Sequence, residues 1–199
     1  MPRLGRFRSA HPEIDLRIGA SFEVVDFGRS DVDAAIRMGR GRYPGLRVDR
    51  MFGESLVPVC SPALLDGPKP LRTPADLRHH TLLHDIDIAG IIFPHASDAW
   101  RLWLETAGVT GVDPAHGSFF EDASLQLEAA AAGQGVALGR TVLAAADLAS
   151  GRLVVPFDLR LPFELAYFFV CPEAVADRPR IAAFRTWLLE EATREPAAA

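Results

Sequence analysis

FEDASLQLEAAAAGQGVALGR, Phe120 to Arg140, is the stretch on which the reading of the fold turns. Phe119 and Phe120 read as the end of a strand. Asp122 stands where an N-cap side chain accepts from the first amides of a helix, and Ala123 to Ala132 is a run of good helix formers. Gly133 supplies the left-handed residue that stops such a helix. Val136, Ala137 and Leu138 then form a short apolar strand. The glycines invite comparison with a phosphate-binding loop. Such a loop leads from a strand to a helix N-terminus, however, whereas this run leaves a helix and enters a strand. The segment is a strand, a helix and a strand, and the fold class is α/β.

The alternation continues on both sides. Upstream, Leu4, Phe7 and Arg8 lie at helical spacing before Pro12, and Glu13 to Ala20 (EIDLRIGA) alternates Ile14, Leu16 and Ile18 with Asp15 and Arg17, which predicts a half-buried strand. A helical turn at Phe27 to Asp31, a strand Val32 to Met38, and strands Leu46 to Phe52 and Ser55 to Cys60 follow. Thr73-Pro74-Ala75-Asp76 is a capped helix start, and Asp98 opens a helix that Gly108 closes. Downstream, the pattern predicts a helix Val142 to Ala149 stopped at Gly151, strands Leu153 to Phe157 and Glu164 to Cys171, and a last helix capped by Asp177. That helix carries Ile181, Phe184, Trp187 and Leu188 on one face.

The 199 residues are enough for one large domain or two small lobes. With 49% apolar and 24% charged residues the composition is that of a soluble globular chain. Lys and Arg number 21 against 26 Asp and Glu, a net charge of -5, so no overall basic field exists to hold nucleic acid. The longest apolar run, around Ala166 to Cys171, is far short of the ~18 residues a bilayer span needs, and the N-terminus has no signal-peptide core. The expected location is the cytoplasm. Cys60 and Cys171 make no disulfide framework and read as buried small hydrophobes.

Three constellations bear on chemistry. His79, His80, His84, Asp85, Asp87 and His95 are dense in possible metal ligands, but they match neither a helical His pair with its intervening Glu nor a CxxC site, so no metal and no cofactor are expected. Ser55, Ser61 and Ser124 lie in no GxSxG elbow, and no catalytic residue is assigned. Arg37, Arg40, Arg42, Arg47 and Arg50 read as a solvated basic face. Arg37 stands apart because it lies near the carboxyl end of a strand, where open α/β sheets bind ligands.

Taken in order, RFRSAHPEIDLRI (Arg6 to Ile18), DVDAAIRMGRGRYPGL (Asp31 to Leu46), ESLVPVCSPALL (Glu54 to Leu65), PLRTPADLRHHTLLHD (Pro70 to Asp85), WRLWL (Trp100 to Leu104), the opening stretch, GRLVVPF, AYFFVCPE and AAFRTWLLEEA run almost end to end. Together they resemble the effector-binding domain of LysR-type transcriptional regulators, most closely the glycine-cleavage-activator subgroup. The resemblance implies a type 2 periplasmic-binding-protein-like fold, two Rossmann-like lobes joined by two crossover strands with a small-molecule cleft. It places lobe I at residues 1–57 plus 165–199 and lobe II at 58–164. The crossovers would be Leu56 to Cys60 and Leu165 to Cys171, which would make Cys60 and Cys171 unbonded near neighbours.

Family members carry a winged helix-turn-helix, a linker helix and a first sensor strand ahead of the residues matched here. The resemblance therefore implies that lobe I lacks its first strand, between EIDLRIGA and VDAAIRM, and that no DNA-binding domain is present, which a start codon assigned at an internal methionine fits better than a naturally short regulator does. The implied ligand residues are Ala20 and Ser21, Arg37 and Met38, Ser61, His84 and Asp85, and Asp122, Ala123, Ser124 and Leu125. Arg37 and Ser21 are weighted for an anion, and Asp122 is read as a cap first. The implied partners are a small-molecule effector, an amino acid or small organic acid, and a second copy in a homodimer, with DNA met only through the absent head and no membrane. A solute-binding protein of a transport system is the alternative, and a hydrolase using His84 with Asp85 as general base is a third.

Overall fold

The computed structural model describes residues 3–21, 23–86 and 92–194. In chain order the elements are α1 (Leu4–Ala10), β1 (Ala35–Gly39), β2 (Leu46–Val59), β3 (Leu82–Asp85), α2 (Asp98–Thr106), β4 (Gly117–Phe120), α3 (Ala123–Ala131), β5 (Val136–Arg140), α4 (Thr141–Ser150), β6 (Leu161–Pro172) and α5 (Pro179–Arg194). Short 3-10 turns occupy Pro62–Leu64, Pro74–His79 and Glu173–Val175. The chain divides into two units: residues up to Gly53 together with those from Glu164 onward, and Glu54–Phe163. The chain thus passes from one to the other within β2 and again within β6. The units divide after Gly53 and after Phe163, where the expected bounds were 57 and 164.

In the second unit the strand order is β2, β5, β3, β4. β5 runs antiparallel to β2, with Leu56 opposite Arg140 and Val59 opposite Ala137, and β3 runs parallel to both β5 and β4. α3 and α4 close one core, in which Leu127, Ala129, Ala130 and Ala144 pack on Val57, Val59, Leu83 and Ala137. Gly139 permits this approach, because a Cβ there would lie 2.9 Å from Val59 Cγ2 and 3.1 Å from Leu127 Cδ2. α2 contributes Trp100 and Trp103, whose indole N–H groups donate to the carbonyls of Leu83 at 3.2 Å and Leu159 at 3.0 Å. Two large aromatic surfaces are thereby buried with their polar handles satisfied.

In the first unit β6 lies between β1 and β2 and pairs antiparallel with β1, Arg37 opposite Phe168. Its side chains alternate between two cores, as a strand covered on both faces requires. Phe169 and Cys171 meet Ile181, Phe184 and Leu188 of α5, while Ala166, Phe168 and Val170 meet Phe27, Ala35, Tyr43, Leu46 and Val48. α1 docks on α5 through Phe7, which is wholly buried against Phe184 and Trp187.

Several expectations need correction. EIDLRIGA forms no strand: it joins no ladder among the described residues, and alternation alone does not pair a strand. Phe27 to Asp31 is not helical. Asp26 holds a turn there instead, accepting from the Gly28 amide at 2.9 Å. Leu46 to Phe52 and Ser55 to Cys60 are a single strand, β2. Leu153 to Phe157 forms only an isolated bridge, Val154 with Cys60. At α5 the Ala182 amide bonds to Arg178 O, so Arg178 and not Asp177 occupies the cap position.

Cys60 and Cys171 are both buried and free, but Cys60 lies in the second unit and Cys171 in the core of the first. They do not share the crossing point, because the chain changes unit at Gly53, well before Cys60. Burial pushes the Cys60 thiol up to about 11 and raises that of Cys171 too, so both behave as apolar side chains.

Candidate functional site

Ligands of open α/β sheets bind beyond the carboxyl ends of the strands. In the second unit that edge is where β3 ends at Asp85, β4 at Phe120 and β5 at Arg140. Because β2 runs antiparallel to β5, its first residues in this unit, Glu54 and Ser55, arrive at the same edge. α3 and α4 begin there. Directly after β3, the Ile86 amide donates to Phe120 O of β4 at 2.8 Å.

The edge is strongly charged. Arg140 Nε lies 3.2 Å from Asp85 Oδ2, with both side chains more than nine-tenths out of solvent. Burial of one charge alone is costly, so the contact offsets part of the cost of burying each. Glu54 is buried too. Its Oε1 accepts from the Ser55 amide at 2.9 Å, from the Thr141 hydroxyl at 2.7 Å and from the Val142 amide at 3.3 Å. It therefore caps α4, whose cap residue Arg140 makes no side-chain cap of its own. Asp122 caps α3 as expected, accepting from the Ser124 amide at 2.7 Å. That amide is the main reason the Asp122 carboxyl titrates below the usual carboxylate range, and the charge of Arg140 adds to it.

His84 and Asp85 do not form a catalytic pair. Adjacent residues on a strand point to opposite faces. Asp85 meets Arg140, while His84 is buried flat against Phe119, with ring centroids 4.3 Å apart. Burial holds the His84 imidazole below the ordinary histidine range, so it is neutral at pH 7. Among the described residues no group of three His, Cys, Asp or Glu side chains is placed to hold a metal, and Asp87 lies outside the described residues.

The structure thus brings His84, Asp85, Asp122, Ala123, Ser124 and Leu125 to one edge, with Ser124 and Leu125 exposed there. Ser61 is not with them. Its amide donates to Ala130 O at the far end of α3, beside Gly133, so it lies at the opposite end of the sheet. The sequence reading carried Ser61 past the end of β2 without allowing for that strand's antiparallel direction.

Ala20, Ser21, Arg37 and Met38 belong to the first unit. There Ser21 Oγ accepts from the Glu23 amide at 3.0 Å and the Arg37 guanidinium lies over the Tyr43 ring at 5.6 Å. Glu54, Arg140 and Thr141 were missed. A charged residue closing an apolar strand, as in VALGR, was the available signal for Arg140. Nothing local marks Glu54.

Comparison with known proteins gives consistent matches. Residues 1–193 match the family model described as LysR substrate binding domain. The glycine cleavage system transcriptional activator of Escherichia coli K12 is 43% identical over 195 residues, covering 98% of this chain and 61% of that protein. The transcriptional activator AmpR of Pseudomonas aeruginosa is 35% identical over 98% of this chain and 62% of its own length. The chain therefore spans about three fifths of the relatives it matches. Among solved structures, the effector domain of Pseudomonas aeruginosa AmpR superposes with a TM-score of 0.75 at 32% identity, covering 97% of this chain and 88% of that one. The effector-binding domain of Citrobacter freundii AmpR gives 0.76 at 28% identity, over 98% and 91%.

Proposed function

Because the chain belongs to the LysR substrate-binding-domain family, with the α/β, periplasmic-binding-protein-like fold of its effector domains, we propose that it is the sensor of a transcriptional regulator that binds a small metabolite and performs no chemistry on it. The observation that carries this reading is the 43% identity to a transcriptional activator over 98% of the chain. In this reading the ligand is an amino acid or small organic acid. Its contacts in the second unit are Asp85, Asp122, Ala123, Ser124 and Leu125, supported by His84, Arg140 and Glu54. Ala20, Ser21, Arg37 and Met38, in the first unit, remain candidates by themselves. The regulator works in the cytoplasm as a homodimer, and a winged helix-turn-helix outside these 199 residues meets the operator. No helix among the described residues is long and apolar enough to cross a membrane.

A ligand acts here only through differential affinity for two conformations, so binding itself is the property to measure. Thermal-shift screening of amino acids and small organic acids is expected to find a saturable stabiliser, worth ~2.7 kcal/mol at 100 times its dissociation constant. Hydrogen exchange with that compound should slow at the ends of β3 and β5 and at the start of α3. A blank panel sinks the sensor reading, whereas protection confined to the Ser61 end sinks only the site.

A further inference from the structure

We draw no further inference here: the strongest candidate, the buried His84 ring stacked on half-exposed Phe119 where β3 and β4 end in the second unit, belongs to the candidate site already described and adds to it only the lowered titration of its ring.

Discussion

In the first unit the buried carboxylate of Glu191 is met by Arg3 at 3.5 Å and Arg6 at 3.2 Å, arginines that keep 32% and 58% of their side chains in water, whereas in the second Asp85 and Arg140 are both nearly solvent-free. The first arrangement is a staple. It fastens α1 to the outer face of α5 around Phe7, and water can take over the charge of either arginine if it leaves. The second lies where water screens charge weakly, so losing one partner there costs more. Ion pairs alike in geometry therefore differ in consequence, and the tightly buried one lies at the edge where a ligand is expected.

Arg140→Met gives the sharpest break. It is expected to cost about 3–5 kcal/mol in urea unfolding, while the double variant Asp85→Leu with Arg140→Met should return close to wild type. A single-variant cost below about 1 kcal/mol would remove the distinction between the pairs. Next, Gly139→Ala forces a methyl to within 2.9 Å of Val59 and should cost about 1–3 kcal/mol. Gly19→Ala in the first unit meets nothing within 4 Å and should stay within about 0.5 kcal/mol. Equal costs would show that the second unit is no more tightly packed.

A smaller effect is expected with pH. Burial depresses the folded-state pKa of His84, so the native state favours the neutral ring. The stability this confers is complete above the ordinary histidine range and is lost as pH falls from that range towards the folded-state value. His80 shifts the same way for the same reason. His84→Gln should flatten the decline of the urea midpoint between neutral pH and about pH 5, and an unaltered slope would rule His84 out as its source. Least of all, Arg6→Ala should cost no more than about 1 kcal/mol and should lose even that in high salt. A cost matching that of Arg140→Met would mean that burial of the partner is not what separates the two pairs.

Legibility in the sequence followed the distance over which each feature is decided. Asp122 as a cap and the left-handed residues Gly108, Gly133 and Gly151 were all readable, because each depends on neighbours within one turn. EIDLRIGA has the alternation of a strand and is not one, since a strand needs a partner and the ladder lies elsewhere. Of the candidate residues, His84, Asp85 and Asp122 to Leu125, chosen from strand ends and a helix start, lie together at one edge of the sheet. Ser61 was misplaced for want of a strand direction, and Arg140 and Glu54 were missed because their partners are remote in the chain.

The sequence by itself determined the α/β class, the local caps Thr73 and Asp122 and the family, because these are written in short-range spacing and in the order of segments. Only the tertiary structure decided that β2 is antiparallel to β5. That direction sends Ser61 away from the candidate site, brings Glu54 to the start of α4 and leaves Arg140 beside Asp85. The physical reason is that strand direction and register set which distant charges meet. The cost of burying a charge then depends on its partner rather than on its neighbours in the chain.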